Sequence, residues 1–156
     1  MLHILVICTG NTCRSPMMKA LLEDRILREG RKDKVAVSSA GLAALNGEPA
    51  SYGASGAMER RGLTLGRHRA SRLSLAMLQE ADLILTMSPA HKQAILALAS
   101  LLHGKVYTLG EYAGENAEIA DPYGGKPAIY EACAVQLEKI LAKIWGKIGT
   151  LAGKSS

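Results

Sequence analysis

The stretch VICTGNTCRSP, residues 6–16, carries two side chains that could act together on an anion. Cys8 closes an apolar run, and Arg14 follows it after five intervening residues. Gly10 and Asn11 lie between them, and both residue types accept left-handed backbone angles. The segment can therefore turn sharply and direct several backbone N–H groups inward, which makes a nest for an anion.

A helix that begins near Ser15 would add the positive end of its dipole to this loop. Cysteines beside a helix N-terminus and an arginine favour the thiolate, the reactive form. The planar guanidinium of Arg14 matches two oxygens of a phosphoryl group, so the cradle would aim a nucleophile at phosphorus. The pattern C-x5-R alone also fits a buried cysteine and a surface arginine, but the strand–loop–helix setting favours the chemical interpretation. The expected phosphate-binding residues are Thr9, Gly10, Asn11, Thr12, Cys13 and Ser15.

Phosphoryl transfer through a cysteine also needs an acid that protonates the leaving group. The segment IADPYGG, residues 119–125, supplies Asp121, and Pro122 biases it toward an extended backbone. An isolated Asp-Pro pair is usually only a turn. Together with the Cys8 loop, however, Asp121 is the candidate general acid. No metal-ligand cluster is visible in the sequence, so we expect chemistry without a metal or other cofactor.

The elements around these residues alternate between strand and helix. Apolar, β-branched runs predict strands at His3–Cys8, Lys34–Ser38, Asp82–Met87 and Lys105–Leu109. Helical spacing and start signals predict helices from Ser15-Pro16 to Gly30, at Ala50–Arg61, at Ser74–Glu80, from Ser88-Pro89 to about Leu102, and from Pro127 to about Trp145. Such alternation predicts right-handed crossovers and an α/β fold with a parallel sheet, whose ligands bind at the carboxyl ends of strands.

The bulk composition narrows the class of protein. A chain of 156 residues without repeats or a composition break is expected to form a single domain, residues 1–156. The net charge of +5 suits a phosphorylated substrate, and zinc-ligand spacing and aromatic stacking motifs for nucleic acid are missing. Three cysteines without a framework spacing, and no signal-peptide or membrane-spanning pattern, lead us to expect a cytoplasmic protein that does not bind membranes.

The pair CTGNTCRSP and DPYGG resembles the low-molecular-weight protein tyrosine phosphatase family, and the resemblance covers nearly the whole chain. It implies a three-layer, four-stranded parallel sheet of flavodoxin-like, Rossmann-like topology. It also implies Cys8 as nucleophile, Arg14 as phosphate clamp and Asp121 as general acid and then base. The family holds its loop by hydrogen bonds from residues that correspond here to Asn11, Ser15, Ser39 and His68.

One position distinguishes two possible substrates. Tyrosine phosphatases of this family usually carry a bulky Ile or Leu before the second cysteine, whereas this chain has Thr12. In this respect the chain is similar to bacterial protein arginine phosphatases, in which this threonine favours phosphoarginine. The physical reason is that a hydroxyl can accept a hydrogen bond from a guanidinium N–H, whereas an aliphatic side chain cannot. The sequence therefore favours hydrolysis of phosphoarginine, with a tyrosine or broad-specificity phosphatase as the alternative. We expect Thr12, Leu45 and Tyr123 to form the walls of the pocket. The expected partners are phosphorylated proteins, and inorganic phosphate is expected to be both the product and an inhibitor.

Two other classes of function have weaker support in the sequence. Arsenate reductases share this type of loop but relay oxidation through a later pair of cysteines, and the only later cysteine here is Cys133, on an apolar helix stripe. A phosphate-binding module without catalysis would leave Asp121 and the reactive thiol unexplained. Cys8 and Cys13 flank the same loop, so we also expect redox control in which Cys13 traps oxidised Cys8 as a disulfide. The alternative is that Cys13 only fills space below the loop.

Overall fold

Within residues 1–154, which a computed structural model describes, four parallel strands form one sheet. The strands are β1 (Leu2–Cys8), β2 (Val35–Gly41), β3 (Leu83–Thr86) and β4 (Val106–Thr108). Their order across the sheet is β2-β1-β3-β4, and all three neighbouring pairs run parallel. The chain therefore leaves β1 in one direction for β2 and in the other for β3. This switch point places Cys8, the last residue of β1, where ligands bind in open α/β sheets.

Helices cover both faces of the sheet. Within residues 1–154 the α-helices are α1 (Arg14–Arg28), α2 (Tyr52–Glu59), α3 (Leu75–Glu80), α4 (Pro89–Leu98), α5 (Leu109–Tyr112) and α6 (Pro127–Lys154). Along β1, Ile4 and Val6 pack into a core that includes side chains of α1, α2 and α6. Leu5 and Ile7 point to the opposite core, which includes side chains of α3 and α4. The three-layer α/β architecture expected from the sequence is confirmed.

The last helix is longer than its sequence predicts. Glycines at 146, 149 and 153 weaken helix propensity, yet α6 continues past the expected end at Trp145 to Lys154. Ile148 and Ala152 are buried and extend the apolar stripe, so packing outweighs local propensity. No helix within residues 1–154 is long and apolar enough to cross a membrane.

Other boundaries also differ from the prediction. The expected helix to Leu102 was too long: α4 ends at Leu98, and a 3₁₀ turn covers Ser100–Gly104. The strand predicted to reach Leu109 ends at Thr108, whose side chain accepts a hydrogen bond from Glu111 N–H and caps the unpredicted α5. The second strand runs on to Gly41 rather than ending at Ser38, so Ser39 lies inside β2 rather than after it.

One glycine of α2, Gly53, has a packing role. Gly53 and Gly56 interrupt the helical pattern, but Tyr52–Glu59 is a helix with Ser51 as its N-cap. A Cβ at Gly53 would overlap the ring of Tyr130 on α6. The missing side chain thus lets the two helices meet closely, and it brings Tyr130 below the Cys8 loop.

Candidate active site

The loop of residues 8–14, which we call the Cys8 loop, turns its carbonyl groups outward. Carbonyl oxygens accept hydrogen bonds as follows: Cys8 from Leu42 N–H at 3.1 Å, Thr9 from Ala43 N–H at 2.9 Å, Asn11 from the His68 ring at 2.7 Å, Thr12 from Ser51 N–H at 2.8 Å, and Cys13 from Met17 N–H at 3.2 Å. In the part of the chain described, no backbone N–H of residues 9–13 donates to a protein acceptor. These donors are therefore available to an anion, as the sequence predicted.

Asn11 holds this loop in shape from its centre. Its backbone is left-handed, with φ 56°, and its side chain is fully buried. The amide nitrogen donates to Ser15 Oγ at 2.8 Å and to Ser39 Oγ at 3.0 Å. The amide oxygen accepts from Ser71 N–H at 2.9 Å. Gly10, also expected in the left-handed region, is not among the residues with positive φ.

Two further residues support the loop from outside. His68 donates its Nε2 proton to the Asn11 carbonyl, because a carbonyl can only accept. Burial lowers the pKa of His68, so the ring is mostly neutral at pH 7. Gly41 lies against the loop backbone: a Cβ there would sit 2.5 Å from the Thr9 carbonyl oxygen. The sequence placed His68 by resemblance and gave no sign of the role of Gly41.

Cys8 lies at the floor of the site with a hydroxyl beside its sulfur. Cys8 Sγ and Ser15 Oγ are 2.9 Å apart. Since Ser15 Oγ already accepts a proton from the Asn11 amide, its own hydroxyl proton is free to point at the sulfur. A hydroxyl donor stabilises a thiolate and, later, a departing sulfur. The positions of Asn11, Ser15 and Cys8 thus form one directed chain of hydrogen bonds.

Arg14 is only 5% exposed and is held at one end. Its NH1 donates to the Ile119 carbonyl at 2.8 Å, and NH2 donates to Thr9 Oγ1 at 3.3 Å. Its Nε is buried and has no partner within the described residues. The unsatisfied Nε–H lies on the side of the guanidinium fork that does not bond Ile119. A phosphoryl oxygen is the kind of acceptor that this donor fits.

Asp121 lies beside this arginine at the rim. Its Oδ2 is 3.7 Å from Arg14 NH2, and its side chain is half exposed. Oδ1 accepts from Tyr123 N–H at 3.1 Å, which fixes the carboxylate in an Asx turn. Gly125 N–H closes the following turn onto Pro122, and Gly124 adopts φ 77° within it. The Asp-Pro segment is therefore a shaped turn that presents a carboxylate to the Cys8 loop.

A buried histidine that the sequence analysis missed completes the surroundings of Arg14. His91 Nε2 and Thr9 Oγ1 share a hydrogen bond at 2.9 Å, and His91 Nδ1 is buried without a partner in residues 1–154. Burial and the charge of Arg14 lower the pKa of His91, so the imidazole is neutral at pH 7. Because His91 lies 82 residues from Thr9, only tertiary structure reveals the pair.

The pocket above Cys8 has a volume of about 320 Å³. Its predicted walls are present: Thr12 lines it, and Leu45 and Tyr123 are 65% and 74% exposed at the rim. Glu48, which the sequence analysis did not single out, also lines it. The pocket therefore combines two carboxylates, Glu48 and Asp121, with apolar rim surfaces.

The remaining cysteines lie below or beside the loop. All three cysteines are free and buried. Cys13 Sγ lies 3.2 Å from Ser51 Oγ and 3.7 Å from Tyr130 Oη. Burial raises the pKa of Cys133 to about 11, which leaves it a protonated core thiol and an unsuitable redox relay. Within residues 1–154, no group of three or more His, Cys, Asp or Glu side chains could hold a metal ion.

A thiol in an anion nest at the carboxyl end of β1, with an arginine and a carboxylate at its rim, defines a cysteine-based phosphatase site. Residues 3–152 match the family described as low molecular weight phosphotyrosine protein phosphatase. The chain belongs to this family, as its two motifs predicted.

Its relatives include enzymes of both substrate classes. A protein-arginine-phosphatase of Geobacillus stearothermophilus is 36% identical, over 95% of this chain and 97% of the relative. The low molecular weight protein-tyrosine-phosphatase Wzb of Salmonella typhimurium is 37% identical, over 92% of this chain and 91% of the relative.

Solved structures agree with the fold. The YwlE arginine phosphatase of G. stearothermophilus superposes with a TM-score of 0.90 at 34% identity, over 100% of this chain and 98% of that one. A YwlE variant with a phosphorylated active-site serine in place of cysteine has the same TM-score at 36% identity, over 95% and 96% of the two chains. This phosphorylated structure supports a phosphoenzyme intermediate in the family.

Proposed function

We propose that this phosphatase hydrolyses phosphoarginine in proteins through a cysteinyl-phosphate on Cys8. The observation that carries the proposal is the hydrogen-bond pattern of the Cys8 loop, whose carbonyls are satisfied from outside while its N–H groups are free. These donors and Arg14 would hold the three equatorial oxygens of a phosphoryl group above the sulfur.

In the first step, the lone pair of the Cys8 thiolate forms an S–P bond in line with the leaving group. The P–N bond of phosphoarginine breaks, and its electron pair stays on nitrogen. Asp121 donates its proton to that nitrogen, so the leaving group departs as an ordinary arginine guanidinium and Asp121 is left as a carboxylate. The turn that fixes Asp121 beside Arg14 supports this role, since acid and clamp must face the same phosphoryl group.

In the second step, the Asp121 carboxylate removes a proton from a water molecule. The water oxygen bonds to phosphorus, the S–P bond breaks, and the electron pair returns to sulfur. Ser15 stabilises the departing thiolate through its free hydroxyl proton. Inorganic phosphate is released, and because it fits the same cradle we expect it to inhibit. The reducing cytoplasm suits a mechanism that needs a free thiol.

Preference for arginine is supported by the polar groups at the pocket wall. The Thr12 hydroxyl can accept a guanidinium N–H, and the Glu48 carboxylate adds a second acceptor of opposite charge. A phenol ester of phosphate offers no N–H group to either acceptor. A polar site of this kind penalises a substrate that leaves its acceptors without donors.

The test compares kcat/KM on a phosphoarginine peptide and a matched phosphotyrosine peptide, for wild type and Thr12→Ile. One lost hydrogen bond in a desolvated pocket costs about 1–3 kcal/mol, so phosphoarginine hydrolysis should fall roughly 5- to 150-fold. Phosphotyrosine hydrolysis should stay the same or improve. Thr12→Ser, which keeps the hydroxyl, is the matched control and should retain the preference. A parallel change for both substrates would remove Thr12 from substrate selection.

A tyrosine phosphatase is the second candidate, and the rim of the pocket favours it. Tyr123 and Leu45 are exposed side chains that line the pocket, and an aromatic ring would pack against them. If phosphotyrosine has the higher kcat/KM in wild type, this candidate replaces arginine specificity. The chemistry at Cys8, Arg14 and Asp121 would be the same.

A further inference from the structure

A second cavity shares no lining residue with the catalytic pocket and lies beside residues that support the Cys8 loop. This rear cavity has a volume of about 460 Å³ and is lined by Lys19, Ser39, Arg67, His68, Arg69 and Glu80, among others. Cys8 is not among its lining residues. Its size falls within the range of pockets for small ligands.

The wall of the rear cavity contains three of the groups that hold Asn11. Ser39 Oγ accepts from the Asn11 amide at 3.0 Å, and Ser71 N–H donates to its amide oxygen at 2.9 Å. His68 donates to the Asn11 carbonyl at 2.7 Å. Since Asn11 fixes the left-handed turn of the Cys8 loop, a ligand in the rear cavity would touch the supports of the catalytic loop directly.

The charges around the rear cavity favour an anion. Lys19, Arg67 and Arg69 line it, against the single lining carboxylate of Glu80. In the described part of the chain, Arg67 and Arg69 form no ion pair, and Lys19 has only a 3.9 Å contact with Glu23. The charges of Lys19 and Arg69 contribute to the lowered pKa of His68, after burial. Lys19 and Arg69 are therefore close enough to act on the group that bonds Asn11.

We propose that the rear cavity binds a small tetrahedral oxyanion, either inorganic phosphate or the phosphate group of a small monoester, and transmits its binding to the Cys8 loop through Asn11. Arg67 and Arg69 would contact the oxyanion as hydrogen-bonding cations, and Lys19 would contribute charge. Binding does not depend on the proposed function; only the effect on catalysis rests on it.

The coupling follows from electrostatics at His68. An anion among these cations offsets the positive field of Lys19 and Arg69 at the imidazole, so the pKa of His68 rises. A more polarised Nε2–H donates more strongly to the Asn11 carbonyl. The ligand would thus stabilise the loop conformation that binds a substrate phosphoryl group, and by linkage an occupied catalytic pocket would tighten the rear cavity.

The experiment follows the His68 ring by NMR during pH titration, in chloride and in inorganic phosphate at equal ionic strength. The pKa of His68 should rise with phosphate in wild type and should not rise in Arg67→Gln/Arg69→Gln. The control Arg31→Gln/Lys32→Gln removes the same charge from an exposed segment and should behave as wild type. A rise that survives in the Arg67/Arg69 variant, or no rise in wild type, overturns the proposal.

A second measurement covers the number of sites. Equilibrium dialysis with inorganic phosphate should show a second bound phosphate in wild type and its loss in the Arg67/Arg69 variant, while the catalytic cradle remains occupied. A single bound phosphate in both proteins would overturn the rear site. Replacing phosphate by glycerol phosphate distinguishes the two sources, since the tighter of the two probes identifies the ligand. Neither measurement needs turnover, so a failure of the proposed catalytic function would not change its outcome.

Discussion

Arg14→Lys keeps the positive charge of the proposed phosphate clamp but removes its planar geometry, and it therefore tests what the guanidinium fork does. In wild type, NH1 is bonded to the Ile119 carbonyl, while Nε is buried and unpaired within residues 1–154. A lysine ammonium is a single point of charge and cannot hold Ile119 and two phosphoryl oxygens at once. The variant must give up at least one charge-assisted hydrogen bond to the phosphoryl group.

The expected loss follows from the number of bonds. A hydrogen bond to a charged group contributes about 1.5–3 kcal/mol. Losing one such bond in the transition state lowers kcat/KM by roughly 10- to 150-fold, since each 1.36 kcal/mol is about tenfold. Loss of the Ile119 anchor adds a second effect. Ile119 lies two residues before Asp121, so the acid segment loosens and substrates with poor leaving groups should suffer more.

The assay measures kcat/KM for a series of aryl phosphates with leaving groups of decreasing acidity. We expect Arg14→Lys to lower every value and to steepen the dependence on the leaving group. Arg28→Lys, at an exposed position that is paired with Asp24 on α1, controls for arginine replacement in general. Activity within about twofold of wild type, well below the tenfold expected from one lost bond, would show that the fork does not clamp the transferred group.

Four further outcomes follow from the site. Cys8→Ser should abolish turnover yet retain phosphate binding, and Asp121→Asn should lower kcat by about 10²-fold for poor leaving groups and less for activated ones; wild-type rates in either variant would remove that residue from its role. The lowered pKa of His91 means that below about pH 6.5 the unfolded chain binds a proton more readily than the folded chain does. The free energy of unfolding should therefore decrease as the pH falls from 7 to 5. Urea unfolding of His91→Phe at these two pH values should show a smaller decrease. An equal fall would show that His91 does not contribute. After peroxide, dithiothreitol should restore wild type but not Cys13→Ala; equal recovery would leave Cys13 as a packing residue.

The redox prediction requires Cys13 to move from the position that it has in the structure. Cys13 Sγ lies near Ser51 and Tyr130, below the loop, and is not bonded to Cys8. Disulfide formation would require the sulfur to leave these contacts and turn toward Cys8. The peroxide experiment therefore reports on motion of the loop as well as on the chemistry of two thiols.

The sequence predicted the parts of the site that are close along the chain. Cys8 and Arg14 share one loop, and the turn residues between them show how the backbone must bend. Asp121 was predictable from its Asp-Pro turn only in combination with that loop. The central strands could also be predicted, because short apolar runs that contain β-branched residues are typical of strands buried on both faces of a parallel sheet.

The parts that the sequence did not reveal depend on contacts between distant segments. His91 looks like an ordinary helix residue until α4 is placed against the Cys8 loop. Gly41 is one of sixteen glycines in the sequence. The structure shows why a glycine is required there, because a Cβ at this position would lie 2.5 Å from the Thr9 carbonyl oxygen. The predicted end of α6 was wrong for a related reason, because the packing of Ile148 outweighed the low helix propensity of Gly146.

Hydrogen-bond accounting explains why so many distant segments are needed. A loop that leaves its N–H groups free for a ligand cannot use them to stabilise itself, and each unpaired buried donor costs free energy. The loop must then be held by its carbonyls and by side chains, which requires donors from outside. The segments around Leu42, Ser51 and His68 supply those donors, and Asn11 connects the loop to Ser39 and Ser71. Stability of the empty loop and affinity for a phosphoryl group thus depend on different atoms of the same residues, so a change in the supporting segments should alter substrate binding without touching the substrate.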